Sequence, residues 1–304
     1  MLNEAIALLE SNGYRVTRPF EARSTYSDLP PPAKLLKAVV LDTETTGMNP
    51  SADKIIELGM VVFQYCPYTG QAYRVLETYN ELEDPGMPIP PESTKIHNIT
   101  DDMVAGKRID DAVVDALLAD VSIVIAHNAD FDRGFVEARL PVFASKAWAC
   151  SLKQVPWKSA GFGGASLEFL AYRNGFHYKG HRASADCHAL LEVLQSNIAG
   201  FGGNAFKTLL ANARVKDVRI WALNAPFDNK DKLKERGYRW AAERKIWNSI
   251  LPQKELAKEV DWLQEHVYQA RPFKLELEQI DALHRFTSRR GTVETVSYQA
   301  VGAT

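Results

Sequence analysis

The stretch that decides the fold is residues 36–47, with the sequence LKAVVLDTETTG. Residues 36–43 are mostly apolar and rich in β-branched side chains, which favours a buried strand. The closing Thr-Thr-Gly is typical of a turn. Because residues two apart in a strand point to the same face, Asp42 and Glu44 are predicted to place two carboxylates side by side.

This carboxylate pair has two interpretations. Neighbouring carboxylates repel each other and raise a pKa unless a cation lies between them. Oxygen ligands of this kind suit Mg²⁺ or Mn²⁺. Alternatively, the strand ends in a polar turn, and Asp42 and Glu44 are simply solvated. The apolar residues 38–41 favour the metal site, because they deliver the pair from a buried strand.

The surrounding segments predict an α/β fold. Further strands are expected at 55–64 and 72–81, which form an antiparallel meander with the first strand, and a short one at 122–126. The predicted helices are 100–104, 111–118, 131–139, 166–174 and 185–198. Strands that come first and helices that alternate later imply a mixed sheet covered by helices.

A second polar motif, residues 127–132, follows the strand at 122–126 and leads into a helix. An acidic side chain in this motif could complete a metal site at Asp42 and Glu44, because it would approach from a neighbouring strand. Asp130 could equally cap the helix, and Asp132 could complement the helix dipole in its first turn.

A third motif, residues 181–186, leads into the helix predicted at 185–198. A histidine at position 181 can accept a proton from a metal-bound water. Alternatively, His181 is an exposed loop residue, and Ser184 or Asp186 caps the helix.

Together, the three motifs resemble those of the DEDDh exonucleases, the group that contains the proofreading epsilon subunit of bacterial replicative DNA polymerase. The resemblance covers approximately residues 36–200. The family motifs are an Asp-x-Glu on the opening strand, an Asn-x-x-Phe-Asp, and a His followed five residues later by Asp. In this chain they are matched by Asp42 and Glu44, by Asn128, Phe131 and Asp132, and by His181 and Asp186.

The resemblance implies a ribonuclease H-like exonuclease fold and a metal-dependent mechanism. In the second motif the metal ligand would be Asp132 and not Asp130. His181 would deprotonate the attacking water. The carboxylates that would hold two divalent ions, Mg²⁺ or Mn²⁺, are Asp42, Glu44, Asp132 and Asp186.

The resemblance also implies contacts with the 3′-terminal nucleotide. Residues 97–100, His-Asn-Ile-Thr, are similar to the family's His-Gly-Ile-Thr segment, although Asn98 replaces the usual glycine. The residues expected on the substrate side of the site are Thr45, Gly47, His97, Asn128 and Phe131.

Composition shifts predict a second, smaller α/β domain. Three consecutive prolines at 30–32 and a glycine-rich stretch at 200–204 mark boundaries. The predicted division is an N-terminal extension (1–33), an exonuclease domain (34–199), a linker (200–212), an accessory domain (213–270) and a partly ordered C-terminal tail (271–304).

The accessory domain concentrates positive charge. Residues 214–247 contain ten basic and five acidic side chains, whereas the whole chain has a net charge of −2. A basic surface with interleaved aromatic rings can hold single strands without reading their sequence. The alternative is that the rings form a small core, which we expect for Trp221 and Trp247. The candidate nucleic-acid contacts are Arg236, Arg239 and Arg244.

The chain shows no signs of a secreted or membrane protein. No apolar run approaches the roughly 20 residues that cross a bilayer. Three widely spaced cysteines argue against a disulfide framework and fit a reducing cytoplasm.

These patterns predict a 3′→5′ exonuclease that removes nucleoside 5′-monophosphates from single-stranded or frayed DNA ends. A DNA polymerase or another replication or repair protein is an expected partner. Trimming of RNA 3′ ends is an alternative, because a metal site does not distinguish sugars. A non-catalytic nucleic-acid adaptor is another, although the complete set of acids with His181 argues against it.

Overall fold

A computed structural model describes residues 2–198 and 202–299. The chain divides into two compact units, Met1–Ala213 and Arg214–Thr304, which we call the first and the second unit. Among the described residues, no helix is long and apolar enough to cross a membrane. The cysteines Cys66, Cys150 and Cys187 are buried free thiols.

The first unit begins with helix α1 (Leu2–Ser11), which buries none of its residues, and strand β1 (Arg18–Pro19). The predicted meander follows. Its strands are β2 (Leu36–Thr45), β3 (Ile55–Tyr65) and β4 (Ala72–Leu82). Adjacent strands pair antiparallel in chain order.

The rest of the first unit is mostly helical. Its elements are α2 (Pro91–His97), α3 (Asp101–Val104), α4 (Asp111–Leu118), β5 (Val121–Ala126), α5 (Ala129–Arg139), a 3₁₀ turn (Pro141–Ser145), β6 (Trp148–Cys150), α6 (Ser151–Gln154), α7 (Leu167–Arg173), β7 (Phe176–His177) and α8 (Ala183–Leu194). Strands β5 and β6 add to the meander in parallel, in the order β4-β3-β2-β5-β6. This five-stranded mixed sheet flanked by helices confirms the predicted ribonuclease H-like class.

The predicted linker, 200–212, is wrong for most of its length. Residues 200 and 201 lie outside the described part, and the short strands β8 (Asn197–Ile198) and β9 (Gly203–Asn204) pair around them. Helix α9 (Ala205–Arg214) follows at once. Its apolar residues at 206, 209, 210 and 213 recur with helical spacing and are buried in the first unit's core. The helical spacing of these apolar residues therefore predicts the structure of this segment better than the glycine-rich stretch before it.

The second unit is built on an antiparallel sheet. Its elements are β10 (Asp217–Ala222), α10 (Lys230–Glu235), β11 (Arg239–Ala241), β12 (Ile246–Pro252), α11 (Leu256–Trp262), β13 (Phe273–Ile280) and β14 (Val293–Tyr298), with 3₁₀ turns at Phe227–Asn229 and Gln253–Glu255 and a π-helical turn at Leu263–Val267. The strand order is β11-β12-β10-β13-β14.

The predicted boundary between the accessory domain and the C-terminal tail is also wrong. Residues 273–280 form β13, which pairs with β10 along its whole length, and β14 extends the same sheet. Leu275 is fully buried, and Leu277 packs against the same core. Apolar and polar residues alternate in 273–280, as is typical of a strand. The polar composition of the segment made this pattern hard to see in the sequence.

Candidate active site

Three of the predicted metal ligands lie together at the end of β2. Asp42 and Glu44 share one face of the strand, and Asp186 reaches them from the first turn of α8. Each offers a carboxylate oxygen, and these oxygens all lie within 4.8 Å of one another. A bulge between Glu44 and Thr45 breaks the register with β3, as is common beside active sites.

Close packing of α8 on β3 delivers Asp186 to this cluster. A Cβ atom on Gly59 would lie 2.4 Å from the carbonyl carbon of Ala183, so only glycine permits the approach. Cys187 follows Asp186 and donates from its thiol to the Gly59 carbonyl oxygen over 3.3 Å.

The cluster is electrostatically uncompensated. Burial, followed by the charges of Asp132 and Asp186, raises the pKa of Asp42 well above its usual value. Burial and the charge of Asp186 likewise raise the pKa of Glu44 to about 8. A divalent cation would relieve this repulsion, and a donor set made only of carboxylate oxygens suits Mg²⁺ or Mn²⁺. The residues therefore fit the metal site that the sequence implied.

Asp132 lies beside the cluster but has its own hydrogen bonds. Its Oδ1 atom accepts from the backbone N and the Oγ1 of Thr43, over 3.1 and 2.9 Å. Burial raises the pKa of Asp132 to about 7, although the bonds from Thr43 act in the opposite direction. Asp130 points elsewhere, since it is half-exposed and paired with Lys153. The structure thus separates the two acids of this motif.

His181 lies on the loop before α8 in a left-handed conformation, with φ of 64°. Its side chain is 53% exposed, and its Nε2 atom lies 3.6 Å from Oε1 of Glu168 on α7. The imidazole is therefore accessible to solvent and has an acid next to it. The sequence analysis did not single out Glu168.

Glu57 fixes the start of α8. It is fully buried on β3 and accepts hydrogen bonds from Arg182 Nη2 (2.8 Å), Ala183 N (3.1 Å) and Asn80 Nδ2 (3.0 Å). Burial alone would raise its pKa, but the bonds from Arg182 and Asn80 lower it. The sequence analysis missed this residue. Its signal was a single charge within an apolar strand, which requires a partner when buried.

Residues 39–194 match the model of the RNase_T exonuclease family. The match spans just over half of the chain. The chain belongs to the RNase_T exonuclease family.

Named relatives within this range include replication proteins. The chain is 31% identical over 167 residues to DNA polymerase III subunit epsilon of Treponema pallidum, which covers 52% of this chain and 74% of that protein. It is 36% identical over 132 residues to DNA polymerase III PolC-type of Thermotoga maritima, which covers 43% of this chain. The chain spans only 9% of that much longer relative.

A solved structure of exonuclease X in complex with 5′ overhanging duplex DNA is similar at a low level. It shares 24% identity and a TM-score of 0.41, over 58% of this chain and 99% of that chain. The second unit lies outside the range matched by the family, so the match does not extend to its role.

Helix α2 carries His97, one of the residues predicted on the substrate side. His97 ends that helix and is 2% exposed. Its Nδ1 atom accepts from Ile99 N over 3.0 Å, whereas its buried Nε2 atom has no hydrogen-bond partner among the described residues. Burial lowers the pKa of His97, and the nearby charges of Glu57 and His181 also act on it. His97 therefore lies near Glu57 and His181.

Asn98 explains the departure from the usual glycine. It has φ of 60° and ψ of 20° and caps the C-terminus of α2, where its N–H donates to the Thr94 carbonyl oxygen over 2.8 Å. Asparagine tolerates this left-handed conformation better than other side chains, so it can replace glycine here.

The turn after β2 is fixed to α2. Thr45 donates from Oγ1 to the Gly47 carbonyl oxygen over 2.6 Å, and Ser93 on α2 donates to the Thr46 carbonyl oxygen over 2.8 Å. A Cβ atom on Gly47 would lie 2.5 Å from the Asp53 carboxylate. The turn is therefore tied to α2, and a side chain at position 47 would have to displace the Asp53 carboxylate.

The other two predicted substrate residues lie at the start of α5. Asn128 is exposed and makes no side-chain capping bond, which leaves its amide available. Phe131 is half-buried, with its ring centroid 4.9 Å from that of Phe135.

Two of the three predicted nucleic-acid contacts in the second unit form ion pairs. Arg236 pairs with the buried Glu259 over 2.9 Å, and Arg244 pairs with Glu276 over 2.8 Å. The third, Arg239, is exposed on β11 and has no ion pair among the described residues. Trp221 is buried, as expected, and Trp247 packs against the second unit's core.

Proposed function

We propose that this exonuclease hydrolyses single-stranded or frayed DNA from its 3′ end and releases nucleoside 5′-monophosphates. The observation that carries the proposal is the partly buried, mutually repelling cluster of Asp42, Glu44 and Asp186, inside the region that matches the exonuclease family. Similarity to a polymerase III epsilon subunit over 74% of its length supports DNA as the substrate.

The metal ligands would be Asp42, Glu44 and Asp186, with Asp132 as the fourth carboxylate. When bound, two divalent ions, Mg²⁺ or Mn²⁺, supply positive charge at the scissile phosphate and make water a better nucleophile. The hydrogen bonds from Thr43 hold Asp132 in place, so its second oxygen, Oδ2, is the one left to face an ion.

His181 is the general base. Its exposed imidazole takes a proton from the attacking water, whose oxygen forms a bond to phosphorus while the bond to the 3′-oxygen of the preceding nucleotide breaks. The products are a nucleoside 5′-monophosphate and a strand with a new 3′-hydroxyl group. Glu168 lies near enough to form an ion pair with the protonated ring.

The terminal nucleotide would bind between α2 and α5. The unpartnered Nε2 atom of His97 and the Asn128 amide offer polar contacts, and the Phe131 ring offers a surface for stacking. Thr45 and Gly47 would place backbone atoms of the turn against the sugar. A replication or repair protein as partner remains a prediction, supported by the names of the relatives.

A degradation assay tests this proposal. Single-stranded DNA and RNA of identical sequence, each labelled at the 5′ end, are incubated with the protein and Mg²⁺ or Mn²⁺. We expect a ladder that shortens from the 3′ end of the DNA. Asp42→Asn should abolish the ladder, whereas the matched variant Asp130→Asn, outside the cluster, should not.

Two results would contradict the proposal. Faster shortening of the RNA would favour the trimming of RNA 3′ ends. Intact strands of both kinds with either ion would favour a non-catalytic role.

A further inference from the structure

Residues 15–26, which we call the N-terminal strap, lie outside the region that matches the exonuclease family. They nevertheless pair with the segment that leads into the catalytic loop. Strand β1 runs parallel to β7, with Arg18 N donating to the Gly175 carbonyl oxygen (3.0 Å) and Phe20 N to the His177 carbonyl oxygen (2.9 Å). In the described part of the chain, β1 is the only strand that pairs with β7.

The other end of the strap is also fixed. Val75 N on β4 donates to the Ser24 carbonyl oxygen over 2.9 Å, and Tyr26 N donates to the Tyr73 carbonyl oxygen over 2.9 Å. The strap also reaches α8, where Arg23 forms an ion pair with Glu192 and approaches its carboxylate to 2.6 Å. The strap is therefore held at both ends by the first unit, as an ordered part of it.

One side chain connects the strap to the carboxylate cluster. The Phe20 ring lies 5.0 Å from the Phe176 ring and 6.3 Å from the Tyr178 ring, between centroids. Tyr178 donates from its hydroxyl to Asp186 Oδ1 over 2.6 Å, while Arg182 N donates to Asp186 Oδ2 over 3.1 Å. Packing of Phe20 thus bears directly on a side chain that orients Asp186.

We propose that the strap is a positioning element of the active site. It holds β7 and Tyr178, and through them it sets the orientation of Asp186 and the path of the loop that carries His181. Without β1, the backbone of β7 would lose its strand partner, and the left-handed turn at His181 would follow an unsupported segment. The expected effect of the strap on catalysis rests on the proposed function, whereas its expected effect on metal binding does not.

Groups that orient metal ligands have measurable effects on affinity. Their substitution typically costs about 10-fold to 100-fold in metal affinity or activity. We therefore expect Phe20→Ala and Tyr178→Phe each to weaken Mn²⁺ binding by about 10-fold or more. We also expect kcat to fall while the KM for single-stranded DNA stays close to wild type, because neither side chain is among the proposed substrate contacts.

The experiment is a calorimetric titration of Mn²⁺ alone into the full chain and its variants. Deletion of residues 2–12 is the matched control, because α1 buries no residue and should leave Mn²⁺ affinity unchanged. Hydrogen exchange of the amides at 175–182 provides a second readout, and exchange should be faster in Phe20→Ala. Phe20→Leu keeps the apolar contact and should restore most of the affinity, and Tyr178→Phe removes only a hydroxyl if Phe20→Ala does not fold.

Wild-type Mn²⁺ affinity and exchange in folded Phe20→Ala would overturn the inference. So would wild-type affinity in Tyr178→Phe, or an equal loss after deletion of 2–12. These readouts need no nucleic acid. If the wild-type protein binds Mn²⁺ but degrades no strand, the proposed function fails while the strap can still be judged.

Discussion

The two units both bury acidic side chains, but they neutralise them differently. In the second unit, Glu278 is nearly inaccessible and accepts hydrogen bonds from Arg219 (3.1 Å) and the Trp221 indole (3.1 Å). Buried Glu259 pairs with Arg236 in the same unit. Each of these acids therefore has a basic partner within the chain.

In the first unit, the acids at the end of β2 are surrounded by one another. Burial and neighbouring carboxylates raise the pKa values of Asp42 and Glu44. Glu57, on the adjacent strand, is the contrast within the same unit, because it pairs with Arg182 and its pKa is lowered. The difference therefore belongs to the site and not to the unit as a whole.

The comparison teaches how to distinguish structural acids from functional ones. A buried acid with an arginine partner is satisfied by the fold. A buried group of acids without one carries a charge that is neutralised by protonation or by an external cation.

The largest expected effect is on catalysis. Asp42→Asn should reduce exonuclease activity to background, because it removes a ligand on which the roles of the ions depend. The rate of nucleotide release from labelled DNA measures this. Glu278→Gln, which alters a paired acid in the second unit, should keep measurable activity, and equal losses in the two variants would break the comparison.

His181→Ala should have a smaller effect. A general base typically contributes about 10²–10⁴-fold, so a trace of activity should remain in single-turnover assays. Mn²⁺ affinity should stay close to wild type, since His181 is not among the proposed ligands. A wild-type rate would remove His181 from the mechanism.

The stability of the metal-free first unit should depend on pH in a defined direction. An acid with a raised pKa binds more protons in the folded state than in the unfolded state, so it stabilises the fold at low pH. For Glu44 this contribution should be lost as pH rises from the ordinary value of 4.5 through about 8. Melting curves in a chelator should show this decline, and excess Mn²⁺ should abolish it.

The smallest effect is expected in the second unit. Arg239→Ala should weaken the affinity for single strands only a few-fold. The affinity should also fall less steeply with rising salt concentration, by the amount expected for the loss of about one phosphate contact. Arg244→Ala should instead lower stability, because it leaves Glu276 without one of its two arginines. Binding titrations at several salt concentrations separate the two. Equal affinity losses in both variants would show that ion pairing does not decide which arginines contact a strand.

Strands that depend on local sequence patterns could be predicted from the sequence. Residues 36–43 lie within β2, and the ranges 55–64 and 72–81 lie within β3 and β4. Short runs of apolar and β-branched residues with flanking turns are enough for such strands. The resemblance of the three motifs to those of the DEDDh exonucleases also pointed to the acids that the fold brings to one end of the sheet.

What the sequence did not reveal depends on long-range contacts. The bond from Tyr178 to Asp186 requires β7 to be fixed by β1, and these strands lie far apart in sequence. The pairing of Glu57 with Arg182 likewise joins two distant segments. Helix α9 and strand β13 were missed for a different reason, since polar or glycine-rich surroundings masked regular apolar periods.

Thermal unfolding of three proteins, with and without Mn²⁺, tests the central claim most directly. Without Mn²⁺, Asp42→Asn should raise the Tm of the first unit above wild type, because it relieves repulsion between buried acids. Glu278→Gln should lower the Tm of the second unit, since bonds to a charged group contribute about 1.5–3 kcal/mol. Mn²⁺ should raise the Tm of the wild type more than that of Asp42→Asn. A lower Tm for metal-free Asp42→Asn, with no response of the wild type to Mn²⁺, would contradict the account.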